Sequence, residues 1–133
     1  MVMPSILGRS LVVSFDNKTG ADIAKRRLVC LDTTAPAAFN LATAAADRRV
    51  LGVTLEAVVN DADGRVLVQG VTTCLVEGAV TRGHYLRASA TAGALEDTGT
   101  LAEADADPPP GACALALDDG ADWWQRCRWH SRH

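Results

Sequence analysis

From Leu51 to Glu56 apolar positions alternate with small or polar ones. Leu51, Val53 and Leu55 fall on one face, and Gly52, Thr54 and Glu56 on the other. A period of two marks a β-strand with one buried face. The stretch NDADG, residues 60–64, predicts a turn in which the Asp63-Gly64 pair takes up the positive φ. RVLVQG and VTTCLVEG follow it and read as one long strand, bent or bulged at Gly70. CALALD alternates again, Asp119 and Gly120 predict a second turn, and DWWQRCRW closes the chain as a strand. Along that last strand Trp123, Gln125, Cys127 and Trp129 share one face, and Trp124, Arg126 and Arg128 share the other. The one helical candidate is residues 35–49, which are rich in alanine; the stretch also fits a loop, because Pro36 interrupts it and Thr43 lies in the middle. Residues 93–110, with Gly, Thr, Asp and Pro108, Pro109 and Pro110, predict an exposed loop.

The pattern occurs twice. IAKRRLVCLDTT, from Ile23 to Thr34, aligns with VTRGHYLRASAT, from Val80 to Thr91, so that Leu28 matches Tyr85, Val29 matches Leu86 and Thr34 matches Thr91. LGVTLE aligns with CALALD, so that Gly52 matches Ala114 and Val53 matches Leu115. Short strands with Gly and Asp turns then predict an all-β fold: a small β-barrel or β-sandwich built from two pseudo-repeated strand units, about 20–76 and 77–130. Residues 1–16 are expected to be an N-terminal arm or a first strand, ahead of a single β domain over 17–133.

Composition narrows the function classes. At 133 residues, 48% hydrophobic and 22% charged, the chain suits one folded domain. A net charge of −3 sets up no positive field for nucleic acid or an anionic membrane. No apolar run approaches the roughly 18–20 residues that span a bilayer, and the N-terminus lacks a signal-peptide pattern, so synthesis in the cytoplasm is expected. Arg126, Arg128 and Arg132 with His130 and His133 make a local basic end, either a solvated tail or a contact to an acidic partner. Cys30, Cys74, Cys113 and Cys127 form no C-x-x-C pair and read as buried small hydrophobes.

Candidate chemistry is sparse. No H-E-x-x-H, G-x-S-x-G or P-loop pattern occurs, and His84, His130 and His133 lie apart, which suits surface or structural roles. Asp61-x-Asp63-Gly64 superficially matches a calcium loop but lacks the later ligands, glutamate included, and reads as a turn. Glu103, Asp105 and Asp107 alternate with alanine and keep a loop soluble. The expectation is therefore a binding protein with no catalytic residues, metal or cofactor, and no enzyme activity. Its candidate partner-binding residues are the apolar positions of the N-terminal segment, Ile6, Leu7, Leu11 and Val13, together with Trp124, Arg126 and Arg128. A tryptophan beside two arginines on one strand face suits an interface anchor, with edge-strand packing under stacked arginines as the alternative.

The run from Lys25 to Asp32, the VLGVTLE segment from Val50 to Glu56, the turn at Asp63-Gly64 and the strand from Val66 to Gly70 resemble the tailed-phage capsid decoration, or cement, proteins. So do GAVTRGHYL, from Gly78 to Leu86, and the ALALDDG hairpin. The resemblance spans roughly residues 17–129; phage head-fibre and tail-fibre base domains show similar patterns. Three features depart from it: Arg26 and Arg27 stand where a glycine is typical, His84 replaces a common acidic residue, and the WWQRCRWHSRH ending is unusual. The resemblance implies a homotrimeric virion protein on the capsid exterior. It would bind the major capsid protein and stabilise the shell by bridging capsomers, with no direct contact to nucleic acid or membrane. Two alternatives stay open, a trimeric base or adhesion domain of a phage head or tail fibre, and a small-ligand-binding β-barrel.

Overall fold

The computed structural model describes residues 10–102, 107–121 and 124–130, with backbone alone from Ala121 onward. Its elements are all strands: β1 (Leu11–Asn17), β2 (Leu28–Leu31), β3 (Ala38–Leu41), β4 (Val50–Thr54), β5 (Asp63–Glu77), β6 (Ala79–Val80), β7 (His84–Ala88), β8 (Leu95–Leu101), β9 (Ala112–Ala116), β10 (Gly120–Ala121) and β11 (Trp124–His130). The expected all-β class holds, as a barrel and not a sandwich.

Five strands close the barrel in the order β1-β3-β2-β4-β5, and β5 returns to β1. Its interior is filled by Phe15, Val29, Phe39, Leu41, Leu51, Val66 and Val68, with Ile23 and Val58 from the flanking turns. Leu28, Cys30, Val53 and Leu67 face the other way. They join Cys74, Val76, Leu86, Leu95, Ala114 and Ala116 in a second cluster that seats the remaining strands against the barrel. Hence Leu28, Val29 and Cys30 are all buried, and β2 shows a continuous apolar run where a one-sided strand would alternate.

The outer strands β11, β9, β7 and β8 also leave from β5 and return to it, so β5 belongs to two closed circuits of five. The pairing scheme is the same in both. Val29 lies opposite Gly52 in the first circuit, and Leu86 opposite Ala114 in the second. Leu28 with Val53 corresponds to Tyr85 with Leu115. The parallel pairs Asn17 with Phe39 and Val76 with Leu95 also correspond. So do the antiparallel pairs Val13 with Val66 and Thr72 with Cys127. The turns follow suit. Arg26 (φ 63°) donates its amide to the Thr54 carbonyl at 2.7 Å, and Gly83 (φ 89°) donates to Ala116 at 2.9 Å. Ala37 (φ 51°) and Gly93 (φ 76°), each two residues before a buried Phe39 or Leu95, likewise share the left-handed region. After β2 the Asp32 carboxylate accepts from the Thr34 amide at 2.8 Å; after β7 the Ser89 hydroxyl accepts from the Thr91 amide at 3.0 Å.

Three sequence expectations are corrected. Residues 35–49 form no helix. They hold β3, whose Phe39 fills the barrel, and the positive φ of Ala37 and Ala46 (56°) rules out continuous helical backbone. Residues 93–110 are not all loop, because β8 starts at the fully buried Leu95 and pairs with β7 and β5. In the first turn the positive φ falls on Asp61 (67°), and Asp63 and Gly64 already open β5. Gly64 is required there for space, since a Cβ would sit 2.1 Å from the Val58 side chain.

Candidate interaction surface

Strand edges define the exposed features. Asp16 pairs with both Ala38 and Asp63, so β3 and β5 occupy opposite edges of β1. On the β3 side only Asp16 and Asn17 are covered; at residues 11–15 that edge has no strand partner among the described residues. The Asp16 amide donates to Ala37 at 2.8 Å on this edge, and the alternation of a strand turns the amides of Val12 and Ser14 the same way. Leu11 is 51% exposed and Val12 39%, so an apolar strip borders the uncovered backbone.

The equivalent edge of β5 repeats this. Gln69 pairs with both Leu11 and His130, which places β1 and β11 on opposite edges. β1 covers its edge only as far as Gln69, and the Leu75 amide, turned away from β11, donates to the Arg26 carbonyl at 3.3 Å. Alternation puts the amides of Val71 and Thr73 on that edge too, without a described partner. Val71 is 53% exposed.

The predicted partner-binding residues are thus partly brought together. Leu11 and Val13 lie on β1, with Leu11 outward and Val13 half-buried. Ile6 and Leu7 lie outside the described residues. Trp124, Arg126 and Arg128 lie on β11 in register with Leu75, Thr73 and Val71; their side chains, and Trp123, are outside the description. β11 is paired with β5 from Trp124 to His130, and with β9 on its other edge at Cys127, Arg128 and Trp129. The N-terminal end of β1 and the C-terminal end of β11 flank the same stretch of β5, a convergence that spacing along the chain does not show. Val71, exposed beside the open edge of β5, was missed because it sits in a run that alternation alone assigns to ordinary strand.

Polar groups serve the turns. His84 Nδ1 lies 2.9 Å from Asp97, whose carboxylate also accepts from the amides of Thr81 (2.9 Å) and Gly99 (2.6 Å). Burial pushes the Asp97 carboxyl up, but the Gly99 and Thr81 amides and His84 together outweigh it and hold the group below its ordinary value. Asp63 is raised by the hydrogen bond and repulsion of Asp16 directly across the ladder, with Lys18 partly offsetting. Asn17, fully buried, donates to the Ala21 and Val58 carbonyls and accepts from Thr19, so it closes the β1 turn. Cys30 is a free thiol, and burial pushes it up. Among the described residues no three His, Cys, Asp or Glu side chains are placed to hold a metal. A groove of 540 Å³ runs between Asp47, Arg48 and Val50 on one side and residues 107–113 on the other.

The chain is similar in structure to the head fibre gp8.5 N base of bacteriophage phi29. The two superpose with a TM-score of 0.60 at 13% sequence identity, over 92% of this chain and 100% of that one. They share a fold. No protein-family model matches the sequence, and no curated protein matches it.

Proposed function

We propose that this chain is a structural protein of a phage virion, seated on the outside of the head, where it binds the major capsid protein as a homotrimer and stabilises the shell by bridging capsomers. The observation that carries the reading is the fold shared with a phage head-fibre base across nearly the whole chain. The resemblance of residues 17–129 to capsid decoration proteins supports the same location. Such a role needs no reaction and no cofactor. Contact area spread over neighbouring capsomers supplies the affinity, and binding only to the assembled shell stabilises that state by mass action. The open edge of β1, bordered by Leu11 and Val12, suits the addition of an extended partner segment. The β11 face with Trp124, Arg126 and Arg128 would supply the anchoring aromatic and a basic contact.

The structural neighbour specifically favours a second reading, the base of a head fibre, which would hold the shell on one side and a fibre on the other. Co-sedimentation with shells stripped of minor proteins tests both. Saturable binding in multiples of three per local threefold position, with a raised shell melting temperature, supports decoration. Binding that leaves shell melting unchanged moves the fibre base to first place, and no binding to mature or expanded shells sinks both. Trp124→Ala is expected to weaken this binding at least about 10-fold and leave the protein soluble; loss of soluble protein would assign Trp124 to the core.

A further inference from the structure

We propose that the edge of β1 from Val12 to Asp16 docks an extended segment of another protein, one that alternates apolar residues with lysine or arginine. This deepens the reading above by naming the chemistry that the partner carries, and rests on that reading only for which protein supplies the segment. The backbone comes first. The amides and carbonyls of Val12 and Ser14 face this edge and have no strand partner among the described residues. A passing strand gains ladder bonds there without displacing any. At the far end the Asp16 amide is taken by the Ala37 carbonyl at 2.8 Å, which fixes where an added strand stops.

The second circuit shows what such an edge takes. Leu75 holds the position in β5 that Asp16 holds in β1, since Val76 with Leu95 corresponds to Asn17 with Phe39. Its edge amide is already used: Leu75 donates to the Arg26 carbonyl at 3.3 Å, and Leu28 donates to the Gly93 carbonyl at 2.9 Å. A basic segment ending in an apolar residue, Arg26-Arg27-Leu28, is thus seated beside that edge by the chain itself. In the first circuit no described segment takes the equivalent place.

Side chains choose the partner. Val13 and Phe15 are half-buried on the barrel face of β1, and Val12, Ser14 and Asp16 lie on its other face. Apolar residues of an added strand extend the first row. On the other face Asp16 stands directly across from Asp63, and repulsion between them pushes the Asp63 carboxyl up. Nearby cations are already matched: Lys18 lies 3.4 Å from Asp61, and Arg65 lies 3.1 Å from Glu56. A lysine or arginine beside Ser14 would lie diagonal to Asp16 and offset this repulsion, whereas a glutamate there would add to it.

Capped peptides test this on the full chain, at concentrations where it is monomeric. One alternates valine with lysine; its twin has glutamate in place of each lysine. The lysine peptide should slow exchange of the Val12 and Ser14 amides at least about 10-fold and bind at least about 10-fold more tightly than the glutamate peptide. Asp16→Asn combined with Asp63→Asn should shrink that preference to less than about 3-fold, as should high salt. Should the double variant fail to fold, the two peptides and the salt series on the unaltered chain decide. Equal binding of the peptides, a preference unmoved by the double substitution, or binding that leaves Val12 and Ser14 fast overturns the proposal. So does slow exchange at Val12 and Ser14 without peptide, because the edge would then belong to the chain itself or, if it appears only as chains associate, to a second copy. Binding to the lysine peptide but to no stripped shell would uphold this edge and sink the virion reading; binding to shells with neither peptide taken would do the reverse.

Discussion

The two circuits that share β5 solve the same backbone problem with different residues. Where the second circuit has Gly83 and Gly93 in the left-handed region, the first has Arg26 and Ala37. Where the second has Ala114 on its fourth strand, the first has Gly52. The first thus has non-glycine residues in the left-handed region at its turns and a glycine in its ladder; the second has glycines at those turns and an alanine in its ladder. Backbone geometry follows the hydrogen bonds that each turn must make, here the bond from residue 26 or 83 to the strand beside it. A side chain that dislikes the conformation is tolerated at a cost of order 1 kcal/mol.

The sharpest break in the equivalence lies at Gly52. A Cβ there would stand 1.9 Å from the Leu67 carbonyl oxygen, where the β1–β5 pairing shifts register, and backbone has little room to give. Gly52→Ala should cost about 3 kcal/mol, the upper range for overpacking, and Ala114→Gly about 1 kcal/mol. Urea unfolding midpoints measure both, and equal costs would mean that the two ladders are alike after all.

A smaller effect of opposite sign is expected at the turns. Arg26→Gly should stabilise the protein by about 0.5 kcal/mol, the relief of left-handed strain less the extra freedom of the unfolded chain, whereas Gly83→Ala should destabilise it by about 1 kcal/mol. A destabilised Arg26→Gly would show that the arginine contributes more through its side chain than it loses in backbone strain.

The least effect is electrostatic, and it separates the circuits by pH. Asp97 in the second circuit has a lowered carboxyl pKa. Its contribution is complete above the ordinary value of 3.8 and is lost as pH falls through the folded value below it. Asp63 in the first is raised, so its contribution is present in acid and is lost as pH rises through that raised value. Asp97→Asn should therefore flatten the acid limb of a stability–pH curve, and Asp63→Asn should raise stability on the neutral side. A curve unchanged by either substitution would remove the distinction.

Much of this architecture was legible in the residues. Alternation located β4, β5 and β9, and alignment of the two halves matched Val29 with Leu86 and Gly52 with Ala114, residues that prove to hold corresponding register positions. β3 escaped because alanine-rich composition speaks for helix, while four residues around one buried phenylalanine carry too little periodicity to speak for strand. β8 escaped because its Thr98, Gly99 and Thr100 resemble the loop that follows it. The candidate surface was legible only as a list of apolar and aromatic residues. Which strand edges stay uncovered depends on pairings between residues far apart in sequence, such as Asp16 with both Ala38 and Asp63.

β5 has a mechanical consequence. A single 15-residue strand is a stave of both closed circuits, so neither can open without disturbing the other. Drawn along its length, it would be loaded in shear, its ladder bonds to β1, β4 and β11 strained together and not peeled one by one. In the role proposed above, such a strand would act as a tie rod, passing tension from one end of the molecule to the other.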